Sequence, residues 1–122
     1  MLSSKDPGQS GRQISLKEAV QLVTTFRNQV KSIVQPDYSS ALPFSETFSK
    51  DIFEKLSSQA GAVGIRAYLG LDENKQVRLI FVATDDQNQD ILPDQDGEDA
   101  AIFEYGQRCP PICGAGPLNP DA

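Results

Sequence analysis

The chain has 122 residues, of which 39% are apolar, and it carries a formal net charge of −6 with no histidine. A chain of this length forms one hydrophobic core by default. Its acidic excess does not suit nucleic-acid binding, which needs basic groups to neutralise phosphates. The absence of histidine excludes Ser–His and Cys–His nucleophile pairs, so an enzyme is not expected and no cofactor is predicted.

The first thirteen residues are polar and rich in Ser, Gly and Gln, which predicts a flexible lead-in over 1–13. No apolar stretch follows Lys5, so this segment does not have the pattern of a secretory signal. No apolar run in the chain reaches the roughly 20 residues that cross a bilayer, so no membrane association is predicted. We therefore expect a cytoplasmic protein.

An amphipathic helix is predicted over 15–34. Ser15 and Glu18 have the spacing of a capping box, in which each side chain bonds to the other residue's amide. One apolar stripe recurs behind this cap at helical spacing, made of Leu16, Ala19, Val20, Val23, Phe26, Val30, Ile33 and Val34. Pro36 ends the helix, because a residue before proline disfavours helical angles.

A second, shorter helix is predicted over 49–59. Phe48 and Phe53 stand on either side of the Ser49 cap at the two positions of a hydrophobic staple. Gly61 follows as a left-handed terminator.

The hydrophobic period then changes from 3.6 to 2, which predicts strands. Val63, Ile65, Ala67, Leu69 and Leu71 share one face, which we expect to be buried. A polar turn over 72–76 leads to a return strand over 77–83, and a third strand is predicted over 100–105. The fold class is therefore α+β, with two N-terminal helices packed on a small antiparallel sheet of about three strands. We expect a single domain over 14–113 and an irregular tail rich in Pro and Gly over 114–122.

Both cysteines lie in the segment Arg108-Cys-Pro-Pro-Ile-Cys113. Three interpretations remain open for Cys109 and Cys113: two reduced thiols in a rigid tail, a reversible disulfide with a redox role, or half of a metal site. Successive prolines favour an extended conformation, which works against bridging.

Residues 85–99 form an acidic loop with seven carboxylates and no basic residue. Its spacing begins like a calcium-binding loop but fails where Ile91 replaces the required glycine. A looser cation cage remains possible on six side chains: Asp86, Asn88, Asp90, Asp94, Asp96 and Glu98. The alternative is a solvated loop.

The face of the first strand opposite its apolar row carries Gly64, Arg66, Tyr68 and Gly70. Glycines in a strand mark close approach by a ligand or by another part of the chain. The simpler interpretation is internal packing, with Arg66 paired to a carboxylate such as Glu104. Arg66, Tyr68 and Arg108 are the candidate binding-surface residues, because Arg and Tyr are common at interfaces.

The segments AVGIRAYLG (62–70) and GQRCPPIC (106–113), with the capped first helix, resemble a family of small uncharacterised bacterial proteins with a C-terminal RCPPxC segment. The similarity covers about 14–113 and implies no activity. The residues themselves favour a non-enzymatic protein-binding module, such as an adaptor, a regulator or an inhibitor, whose acidic loop would meet a basic partner. The alternative is a thiol redox or metal-responsive protein acting through Cys109 and Cys113.

Overall fold

The computed structural model describes residues 6–93 and 101–119. This part of the chain holds two α-helices, α1 (Leu16–Ile33) and α2 (Lys50–Ser57). Its strands, which form two antiparallel sheets, are β1 (Ser45–Thr47), β2 (Gly64–Leu71), β3 (Val77–Thr84), β4 (Asp90–Ile91) and β5 (Gln107–Cys109). Neither described helix is long and apolar enough to cross a membrane.

The chain divides into two compact units, each assembled from segments distant in sequence. The first consists of the described residues of Met1–Gly11, Phe48–Gly70 and Arg78–Gly106. The second consists of Arg12–Thr47, Leu71–Val77 and the described residues from Gln107 onward.

The first unit is organised around the sheet with strand order β2-β3-β4. An Asx turn leads from β3 to β4, since Asp85 Oδ1 accepts from the amides of Gln87 and Gln89, both at 2.9 Å. The prediction of a third strand over 100–105 is wrong for the described residues from Ala101 onward. They contribute one bridge, between Phe103 and Phe81, and β4 supplies the third strand instead. Tyr105 has a φ of 77°, which takes the chain out of extended geometry.

Helix α2 packs on this sheet through aromatic side chains. Ser49 caps it by accepting from the amide of Asp51 at 3.2 Å. The Phe48 and Phe53 rings of the predicted staple lie 6.5 Å apart, and the Phe53 ring lies 5.2 Å from the ring of Phe81 on β3. Leu56 is completely buried. The helix ends at Ser57, two residues before the predicted end, and Gly61 is left-handed with a φ of 82°.

The described start of the chain belongs to the same unit. Pro7–Gln9 form a 3₁₀ turn, capped by Asp6, within the segment that the sequence predicts to be a flexible lead-in. Pro7 lies against the backbone of β2 at Gly64, where an added Cβ would be 3.1 Å from the Pro7 Cβ.

The second unit contains α1 and the two-stranded sheet of β1 and β5. Ser15 Oγ accepts from the Glu18 amide at 3.0 Å, which confirms the predicted cap of α1. The predicted apolar stripe is only half-buried along the middle of the helix, and Leu16 and Ile33 at its ends are exposed. The β1–β5 sheet, which the sequence did not predict, pairs Glu46 with Arg108.

Arg108 holds three segments of the second unit together. Its buried guanidinium donates to the carbonyl oxygens of Val77 at 2.5 Å, Ser40 at 3.1 Å, and Ala41. The Val77 amide donates to the Ala41 carbonyl at 2.8 Å. The Glu46 carboxylate is fully buried 3.8 Å from Arg108 Nη1, and neither of its oxygens has a hydrogen-bond partner among the described residues.

Candidate functional site

Strand β2 forms one edge of the three-stranded sheet, and its apolar face is exposed. Leu69 is 75% exposed, Val63 and Ile65 are 44% and 40% exposed, and Ala67 is also exposed. This corrects our expectation that the face is buried. The physical reason is that Phe53 of α2 packs on Phe81 of β3, so the helix covers the neighbouring strand.

The opposite face of β2 carries a hydrogen-bonded cluster that reaches across β3. Arg66 Nη1 donates to Asp90 Oδ1 at 2.5 Å, and Nη2 donates to the side-chain and backbone oxygens of Asn88. The Tyr68 hydroxyl donates to the second carboxylate oxygen of Asp90. Asn88 adopts a φ of 66°, which directs its oxygens toward the guanidinium from the turn before β4. Arg66 therefore meets Asp90 rather than Glu104.

The cluster favours the charged form of Arg66. The hydrogen bond with Tyr68 and the carboxylate of Asp90 raise the pKa of Arg66 and outweigh the opposing effect of partial desolvation. A basic group whose pKa is raised by folding stabilises the folded state at every pH below the unfolded pKa, and it loses that contribution only as the pH passes the folded value. For arginine this window covers the whole neutral and alkaline range in which proteins are studied.

The two glycines of β2 serve packing within the chain. A Cβ at Gly64 would lie 2.8 Å from Thr84 Oγ1, and one at Gly70 would lie 3.1 Å from Ile80 Cδ1. Side chains of β3 and the Pro7 ring therefore occupy the space that the glycines leave. The structure thus shows internal packing at these glycines, and the packing partners are Pro7 and side chains of β3.

The candidate cation ligands separate into two groups. Asp94, Asp96 and Glu98 lie outside the described residues. Asn88 and Asp90 are brought together, but around the guanidinium of Arg66, while Asp86 is exposed. Within residues 6–93 and 101–119, no group of three or more His, Cys, Asp or Glu side chains is arranged to hold a metal ion.

Cys109 and Cys113 form a disulfide in this structure, with their Cα atoms 4.8 Å apart. The peptide bonds before Pro110 and Pro111 are cis, and the Ile112 amide donates back to the Arg108 carbonyl at 3.0 Å. The segment therefore turns, where the sequence favoured an extended path. Cys109 is buried at the end of β5, whereas Cys113 is exposed.

The structure places the third binding-surface candidate in the interior. Arg108 is 8% exposed, and its guanidinium is committed to backbone carbonyls of the second unit. It stabilises that unit and, unlike Arg66 and Tyr68, it does not lie on the surface. A buried arginine of this kind has no distinguishing signal in the sequence, because the carbonyls it binds lie 31 to 68 residues away.

Comparison with known proteins identifies no relative. No protein-family model matches the chain, and no curated protein or solved structure is significantly similar to it. The resemblance of 62–70 and 106–113 to small bacterial proteins therefore stays a prediction.

Proposed function

We propose that the chain is a cytoplasmic protein-binding module, rather than an enzyme, and that it binds an extended segment of its partner along the edge of β2 that no other described strand pairs with. The observation that carries the proposal is the exposed apolar row on this edge strand. Strand addition uses main-chain hydrogen bonds for affinity and alternate side chains for specificity. Strand β2 offers both, because it is eight residues long and its described neighbour in the sheet is β3.

Beyond Gly64, where Pro7 lies against the strand, the described residues do not supply the features with which proteins usually prevent strand addition. Free edges are commonly protected by lysine, by proline or by a very short strand. Gly64–Gly70 contains neither lysine nor proline, and its one charged residue, Arg66, is held on the face of the sheet by Asp90. The unprotected edge therefore favours a binding role for this strand.

A groove at the beginning of β2 provides a place for one side chain of the partner. It has a volume of about 290 Å³ and lies between Ser57 at the end of α2 and the residues Ala62, Val63, Gly64 and Ile65. Its walls are mostly apolar, so an aliphatic or aromatic side chain fits it. The net charge of −6 disfavours a partner segment with acidic residues, since like charges repel during association.

The proposal is tested by capture of partners from cells with three baits: the unmodified protein, Leu69→Lys and Leu22→Lys. Leu69 is on the exposed row of β2, and Leu22 is a matched control at 64% exposure on α1. We expect Leu69→Lys to lose the partner and Leu22→Lys to retain it. Hydrogen exchange on the captured complex is expected to show newly protected amides in β2. Equal capture by all three baits, or protection confined to other elements, would contradict the proposal.

A second candidate function is a thiol-based redox response, which the disulfide itself favours. Disulfides are transient in the reducing cytoplasm. A thiolate that attacks the sulfur of Cys113, the exposed residue of the two, forms a mixed disulfide there and releases Cys109 as the thiolate. A second thiolate then resolves the mixed disulfide, which leaves two protein thiols and one disulfide of the reductant.

This second candidate is tested by titrating the protein with a glutathione redox buffer and alkylating the free thiols. We expect both cysteines to become available for alkylation at the same buffer potential, since one bond protects both. After reduction, Cys113 should be alkylated faster than Cys109, because Cys109 is buried. A bridge that stays oxidised at the cytoplasmic glutathione potential would leave the disulfide a purely structural role.

A further inference from the structure

We infer that the extended segment that fits the β2 edge is the β2 strand of a second copy of this chain, paired antiparallel with Ala67 on the two-fold axis. This inference rests on the proposed strand addition and names its partner. A two-fold interface must be self-complementary, because each residue that contacts another is contacted by it in turn. The sequence of β2 meets this requirement.

The segment Gly64-Ile-Arg-Ala-Tyr-Leu-Gly70 reads with the same chemistry in both directions from Ala67. In an antiparallel pair centred there, Ile65 lies opposite Leu69 of the second copy, and Ala67 lies opposite its own equivalent. Gly64 lies opposite Gly70 of the second copy. Residues that face each other across the pair are on the same side of the sheet, so the exposed apolar rows of the two copies join.

The other side of the sheet is also compatible with this pairing. Arg66 lies opposite Tyr68 of the second copy, so no two like charges face each other at these positions. The segment 62–71 contains no carboxylate, so the net charge of −6 brings no acidic residues face to face along the paired strands. Apolar side chains that are 40% to 75% exposed in the single chain gain lateral contacts with equivalent side chains, which removes part of their surface from water.

The association is tested by sedimentation equilibrium of the full chain over a concentration series. We expect a reversible monomer–dimer equilibrium. Ala67→Lys should raise the dissociation constant at least about tenfold, because it places two like charges directly opposite each other on the axis. Ala67 is exposed, so this variant is expected to keep the circular dichroism spectrum of the parent. Leu22→Lys on the exposed face of α1 is the matched control and should leave the constant unchanged.

The register is tested by cysteine cross-linking, with Cys109 and Cys113 already bridged to each other. Ala67→Cys should form a covalent dimer on mild oxidation, because paired Cα atoms lie within the range that a disulfide spans. Leu69→Cys should not cross-link to itself, since the two copies of that position would be about 13 Å apart along the strands.

Three outcomes would overturn the inference. The first is an unmodified protein that sediments as a monomer at every concentration. The second is equal cross-linking of the two cysteine variants, and the third is a dimer that Ala67→Lys leaves intact. In each case the capture experiment with Leu69→Lys still decides whether a different protein adds a strand to β2, so a failure of the inference is distinguishable from a failure of the proposed function.

Discussion

Arg66 on β2 and Asp90 on β4 are joined across the intervening strand β3, with Nη1 and Oδ1 2.5 Å apart. The pair connects the two edges of one sheet, and both side chains remain in part open to water, at 30% and 18% exposure. Such pairs contribute little to stability, because solvent screens the attraction and two long side chains are immobilised.

We therefore expect Asp90→Asn to lower the free energy of unfolding by less than about 1 kcal/mol in a urea titration. An arginine guanidinium stays charged at about pH 7 and about pH 9, and the pKa of Arg66 is raised further by its neighbours, so the loss should be equal at the two pH values. Asp86→Asn is the control, since this carboxylate is exposed in the same loop. A loss that grows steadily across this pH interval would be inconsistent with the charge assigned to Arg66.

Leu56 and Leu22 provide a comparison of buried and exposed leucines in the two helices. Leu56 is completely buried in α2, whereas Leu22 of α1 is 64% exposed. Leu56→Ala should cost about 2–5 kcal/mol, because it removes buried contacts and leaves a cavity. Leu22→Ala should change the stability by about 0.5 kcal/mol or less. Chemical denaturation measures both, and a similar loss in the two variants would show that the exposed face of α1 is covered in solution.

Gly106 is predicted to be intolerant of any side chain. A Cβ there would lie 2.5 Å from Phe48 Cε1, within the aromatic cluster that joins α2 to the sheet. Gly106→Ala should therefore cost about 1–3 kcal/mol through overpacking. Gly114→Ala is the matched control, since its Cβ would meet Asn119 Nδ2 at an ordinary 3.7 Å. If the two variants have the same melting temperature, the close approach of Phe48 to Gly106 is disproved.

Arg108 is predicted to be the most sensitive charged residue of the second unit. Arg108→Met leaves the Glu46 carboxylate buried without its counter-ion and removes the donor from three carbonyls, which should cost about 3–5 kcal/mol. Adding Glu46→Gln should recover part of this loss, because the buried charge is then gone. Arg12→Met is the control, since the Arg12 side chain is 77% exposed. If the double variant is no more stable than Arg108→Met alone, the whole loss of stability comes from the carbonyls that lack their donor.

Local signals in the sequence predicted the elements that depend on neighbouring residues. The Ser15 cap, the Phe48–Phe53 staple and the hairpin of β2 and β3 all use contacts within a few positions or a change of period. Both helices and the α+β class followed from them. The β1–β5 sheet could not be predicted in this way, because its strands have three residues each and are paired across more than 50 positions.

The distinction between local contacts and contacts of distant residues also applies to the candidate site. A period of two shows that Val63, Ile65 and Leu69 share a face, but it does not show whether another element covers that face. The sequence therefore identified the apolar row, but the prediction that the row is buried was wrong. It also selected Arg66 and Tyr68 as a pair, but the carboxylate that joins them belongs to Asp90 on β4, which is 24 and 22 residues away.

The bonds from Arg108 to Val77 and Ser40 have a consequence for biosynthesis. The second unit needs a side chain from β5 to link a loop and a hairpin that leave the ribosome earlier. Helix α1 is thus translated well before Arg108, whose guanidinium joins the segments of this unit. Until β5 has been made, β1 lacks the strand with which it pairs in the folded chain, so the unit cannot complete its fold when its first helix emerges.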